Sequence, residues 1–125
     1  MSLTPLERAV FEFIRDTIPE DGVALRAQLA KARLRKRENT GSGFFTYIDI
    51  DRTAPPIGEG KPRDMRDGPY ASVQGAAHGM GFILWLRDGY ADCLEGYCYG
   101  VDDTKTWDLD NLSFALSASP PDPSP

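Results

Sequence analysis

Residues Gly79 to Gly100 read GMGFILWLRDGYADCLEGYCYG. Two runs rich in aromatic and branched residues flank Asp88-Gly89, and Asp-Gly between such runs is the strongest short-range hairpin signal. Phe82 to Arg87 is therefore expected to climb and Tyr90 to Tyr99 to return beside it. A two-residue loop pairs Arg87 with Tyr90, Leu84 with Cys93 and Phe82 with Glu95, whereas a three-residue loop pairs Leu86 with Tyr90. The first register is preferred. It places Phe82, Leu84, Leu86, Ala91, Cys93, Glu95, Tyr97 and Tyr99 on one face, whose apolar row assigns it to the core. Ile83, Trp85, Arg87, Tyr90, Asp92 and Leu94 share the other face, which is more apolar than a water-facing surface requires.

Upstream, Phe44 to Asp51 (FFTYIDID) alternates as a strand, with Phe44, Thr46, Ile48 and Ile50 on one side and Phe45, Tyr47, Asp49 and Asp51 on the other. Thr4-Pro5-Leu6-Glu7 carries a helix start: a capping threonine, a proline suited to the first turn, and a glutamate that completes a capping box. Leu6, Val10, Phe13, Ile14 and Ile18 recur at helical spacing, with Glu7, Arg8 and Glu12 assigned to the outer side, and Pro19 ends the helix. A second helix is expected over about 22–38, capped by Asp21, with cations near its C-terminus where they suit the helix dipole. Residues 52–69 read as a long Pro/Gly-rich loop, 70–77 as a weaker strand and 112–116 as a short edge strand. Residues 117–125 have the composition of a flexible tail, which leaves a single domain over 1–116.

Charge is uneven: Arg26, Lys31, Arg33, Arg35, Lys36 and Arg37 crowd the first half, while acids dominate from Asp88 onward. A net charge of −5 and acids between the aromatic residues argue against nucleic-acid binding. No apolar run approaches the roughly 18 residues of a membrane span, and MSLTPLERAV lacks the pattern of a secretory signal, so a cytoplasmic protein is expected. Cys93 and Cys98 lie an odd number of residues apart in one strand, on opposite faces, and are read as unpaired thiols. Two cysteines and one histidine form no zinc pattern, and no cofactor motif is present.

Glu95 sits in the row assigned to the core and needs a partner there. Arg33 or Arg37, read at the end of the second helix, would supply it. His78, Glu95, Asp49 and Asp51 are the candidates for small-molecule or metal chemistry at the sheet edge, with the loop acids Asp64 and Asp67 in support. RENTGSGFFTYIDI, HGMGFILWLRDG and ADCLEGYCYG resemble a group of small bacterial α+β proteins with a DG hairpin and an LEGY-aromatic-G strand, some of them immunity-like. The resemblance spans about residues 25–116 and implies a fold without a reaction.

The expected architecture is α+β, with two N-terminal helices packed on one antiparallel sheet of four or five strands. The expected function is non-enzymatic: binding of another protein, as self-association or as immunity- or antitoxin-like inhibition. Two helices can cover one side of such a sheet, so Ile83, Trp85, Arg87, Tyr90 and Leu94 are the candidate partner contacts on the other.

Overall fold

The computed structural model describes residues 2–120. Helix α1 spans Pro5–Thr17 and α2 spans Pro19–Leu29. The capping box forms as the sequence predicts: the Glu7 amide donates to the Thr4 hydroxyl at 3.1 Å and the Thr4 amide donates to the Glu7 carboxylate at 2.7 Å. Strands β1 (Arg33–Asn39), β2 (Gly43–Asp49), β3 (Asp64–Val73), β4 (Met80–Arg87), β5 (Tyr90–Cys98) and β6 (Phe114–Ser117) follow. They form one sheet in the order β1-β2-β5-β4-β3-β6, antiparallel throughout. The α+β class holds, with six strands instead of four or five. No helix is long and apolar enough to cross a membrane among the described residues.

The sixth strand comes from the segment read as the end of the second helix. Helix α2 stops at Leu29, and Arg33–Asn39 pairs with β2. Its cations satisfy an edge strand as well as a helix terminus, because outward-pointing side chains there reach water. One of them, Arg37, turns inward on the helix side. Strand β3 likewise starts inside the stretch read as loop. A register shift between Asp67 and Tyr70 accommodates Gly68-Pro69, so the proline interrupts the ladder instead of ending the strand. Ser117 belongs to β6 and pairs with Tyr70, so the expected tail boundary at 117 falls inside a strand, and residues 121–125 lie outside those described.

The hairpin turn is the two-residue one, with Asp88 at φ 55° and Gly89 at φ 85°, as a type I′ turn requires. Arg87 pairs with Tyr90 and Leu86 with Ala91. A bulge then leaves Asp92 without a partner, and from there Trp85 pairs with Cys93, Leu84 with Leu94 and Phe82 with Gly96. That one extra residue exchanges the two faces for the rest of β5. Leu94, Gly96 and Cys98 face the helices, while Cys93, Glu95 and Tyr97 face away. The expected Leu84–Cys93 and Phe82–Glu95 pairs are therefore corrected. Gly96 fits because a Cβ there would sit 2.9 Å from the Phe82 ring and 3.0 Å from that of Phe44.

Both helices lie on one side, α1 against β3 and β6 and α2 against β5. Leu6, Val10, Phe11 and Ile14 of α1 bury against Ile48, Ala71, Met80, Leu84 and Leu94. The 52–63 loop closes the hairpin end of this core. Ile57 is buried and its amide donates to the Gly89 carbonyl at 2.7 Å. Gln28 of α2 donates to the carbonyls of Pro55 and Gly89 and accepts from the Ala91 amide. The body of the loop thus serves the helix side, while Arg63 at its end reaches the Trp85 side.

Candidate protein-binding face

Glu7 shows how the helix side disposes of charge. It is fully buried, accepts from the Thr4 amide and from the Thr46 hydroxyl, and receives the Arg37 guanidinium through Nε at 2.7 Å and through Nη2. The hydrogen bond to Glu7 is the chief reason that the Arg37 pKa rises above its ordinary value. Arg37 therefore serves Glu7 and not Glu95, which the register places on the opposite side of the sheet.

Among the described residues no helix covers that side. Cross-strand partners share a face, so the register lays it out in rows from β1 across to β3. One row reads Lys36, Tyr47, Cys93, Trp85, Met65, and the next reads Glu38, Phe45, Glu95, Ile83, Asp67. Beyond the second row come Gly43, Tyr97, Gly81 and Tyr70. Beyond the first lie Asp49 and Arg87, with Arg35 and Asp92 joining them at the two bulges. The face thus has an aromatic centre, a tyrosine-rich end and a charged end.

At the centre, the Trp85 indole N–H donates to Glu95 Oε1 at 3.0 Å, and the Arg63 guanidinium lies 5.7 Å from the Trp85 ring centre. Phe45 and Tyr47 stack at 6.1 Å along β2, and both Arg35 and Lys36 stand 5.5 Å from the Tyr47 ring. Phe45, Tyr47, Trp85, Cys93 and Glu95 line a shallow depression of about 370 Å³, flanked by Arg63, Arg87 and Asp92. Ile83, Trp85, Phe45 and Tyr47 are half-buried by one another, and Met65 is 38% exposed. At the tyrosine end, Tyr97 and Tyr99 meet edge to face at 5.4 Å, and Tyr70 stacks on Tyr99 at 6.1 Å. Gly81 makes room for them, since a Cβ there would lie 2.5 Å from the Tyr97 hydroxyl. At the charged end, Asp92 sits between Arg35 (3.8 Å) and Arg87 (3.7 Å), and Arg35 also holds Asp49 at 3.0 Å.

Burial raises the Cys93 thiol to about 12, so it stays protonated near neutrality and is a poor nucleophile. Burial, and next a hydrogen bond with Tyr99, raises Tyr97 to about 12. Burial also raises Cys98 and, together with nearby acidic groups, Tyr47. Both cysteines are free, one on each side of the sheet.

Of the five expected partner contacts, the structure brings together Ile83, Trp85 and Arg87. Leu94 is fully buried in the core because of the Asp92 bulge. Tyr90 is turned toward the loop, donating its hydroxyl to the Ala54 carbonyl at 2.8 Å under the Arg52 guanidinium, 4.5 Å from its ring. Arg33 sits on β1 opposite Asp49, and the expected ion pair of Glu95 with Arg33 or Arg37 does not form. Phe45, Tyr47, Met65 and Tyr97 share this face and lie outside the five expected residues. Phe45 and Tyr47 already alternated away from the core in FFTYIDID, which was the signal available for them. The set His78, Glu95, Asp49 and Asp51 is dispersed. Asp49 pairs with Arg35, Glu95 with Trp85, the Thr53 amide lowers the Asp51 pKa, and His78 lies in the β3–β4 connection. Among the described residues no three His, Cys, Asp or Glu side chains gather closely enough to hold a metal ion.

No protein-family model, curated protein or solved structure matches this chain. The likeness of its hairpin to the small bacterial α+β group rests on the quoted residues alone.

Proposed function

We propose that this is a cytoplasmic protein that acts without catalysis, by binding another protein through the open face of its sheet. The observation that carries the reading is the row Tyr47, Cys93, Trp85, Met65 lying beside Phe45, Glu95 and Ile83 with no helix above them among the described residues. Aromatic residues with arginines at their margin are the mixture enriched at interface centres. Trp85 is also held in place before any partner arrives. Its indole N–H is bonded to Glu95 and its ring is flanked by Arg63, so little side-chain entropy remains to be lost on binding. Immunity- or antitoxin-like inhibition and self-association both fit such a face, and two unpaired thiols agree with a reducing compartment.

The test is capture from the native host with wild-type and Trp85→Arg baits of equal melting temperature. A protein held by the wild type and lost with the variant supports the reading. A protein held equally by both overturns it, as does a Trp85→Arg chain that cannot fold, because Trp85 would then belong to the core.

A further inference from the structure

Resting on the reading of the open face as a protein-binding surface, we infer that its occupant is a second copy of this chain, face to face, related by a two-fold axis that crosses the strands between the Trp85 row and the Ile83 row. The charges on the face select that axis. Rotation about an axis parallel to the strands and centred on β5 would set β1 of one copy over β3 of the other. Glu38 would then meet Asp67, and Glu95 would meet its own counterpart. Like charges brought together without solvent cost too much for that arrangement.

Rotation about the crossing axis exchanges the two rows instead. Lys36 of each copy then faces Glu38 of the other, Tyr47 faces Phe45, and Trp85 faces Ile83. Lys36 and Glu38 are both exposed and already 3.7 Å apart within one chain, so pairing would build a four-charge cluster of alternating sign at the β1 side. Arg87, 67% exposed, comes opposite Gly81 and the tyrosines folded over it, where a guanidinium can lie on aromatic rings. The same rotation sets Glu95 opposite Cys93 and Asp67 opposite Met65; Glu95 keeps the Trp85 indole as donor, and Asp67 stays at the exposed margin. An isologous contact of this kind closes at two members.

The area bounds the contact. Five strands at about 4.8 Å and four rows at about 6.7 Å make a patch of about 640 Å² per copy. The total of about 1,300 Å² stands at the lower end for a specific interface, and dissociation in the micromolar range is expected. Sedimentation velocity of the full chain from about 1 to 300 µM should show a monomer passing to a dimer. Lys36→Glu and Glu38→Lys should each weaken the dimer about tenfold, since each reversal acts twice by symmetry. The double exchange, which restores opposite signs, should return it to within about threefold of wild type. Both positions are exposed, so folding is not at risk.

A monomer throughout the range overturns self-pairing. If that monomer still captures a host protein and Trp85→Arg releases it, the binding face stands with a different occupant. A dimer indifferent to Trp85→Arg and to both charge reversals overturns the axis and the face together.

Discussion

Glu7 and Glu95 are carboxylates set against the same sheet from opposite sides. Glu7 is sealed in, with an amide, a hydroxyl and a guanidinium around it. Glu95 has one indole N–H and a shallow depression open to solvent. Glu7 finds all of its partners within the chain, and among the described residues no buried side-chain nitrogen or oxygen lacks a partner. The other side satisfies its centre only in part and leaves aromatic surface over. A completed face needs nothing more, whereas this one gains by being covered.

The sharpest way to break that comparison is one substitution made on both sides. Glu7→Gln leaves Arg37 beside an uncharged amide in a dry site and should cost roughly 3–5 kcal/mol by urea denaturation. Glu95→Gln, which keeps an acceptor for the indole, should cost at most about 1 kcal/mol. Equal costs would mean that the two sides are equally closed. Leu84 and Ile83, neighbours on β4, sharpen the same contrast. Leu84→Ala should lose about 2–5 kcal/mol as a cavity in the core, and Ile83→Ala less than about 1.5 kcal/mol. Reversed magnitudes would invert the assignment of faces.

A further contrast is alkaline. The folded protein holds the Cys93 thiol at about 12, against an ordinary 9.0, because burial disfavours its thiolate. Above pH 9 an unfolded chain releases that proton while the folded one keeps it, so stability is intact below about 9 and falls toward 12. Urea midpoints taken at about pH 8 and about pH 10.5 should diverge less in Cys93→Ala than in wild type. An unchanged slope would place the thiol in water.

Local chemistry made much of this legible in the sequence. The capping box, the Asp88-Gly89 turn and the alternation of β2 each follow from a few adjacent residues. What escaped depends on pairing across distance. Arg33–Asn39 suits a helix end until β2 is there to pair with it. The Asp92 bulge moves Leu94 into the core and Glu95 out of it, although Cys93-Leu94, two apolar residues in succession, already breaks strict alternation. A carboxylate in an otherwise apolar row was the other sign that the faces had changed places. Ile83, Trp85 and Arg87 keep their expected place on the open face because they lie on β4, before the bulge can act.

The two outer strands limit how these molecules can gather. Strand β1 presents Arg33, Arg35 and Lys36 along its free margin, and β6 offers only four residues, Phe114–Ser117. A new strand laid against β1 would meet clustered positive charge, and one laid against β6 would find little backbone to pair with. Both margins disfavour the strand addition by which sheets extend into fibrils. The aromatic surface of this sheet therefore lies on a face, away from the margins where a sheet grows.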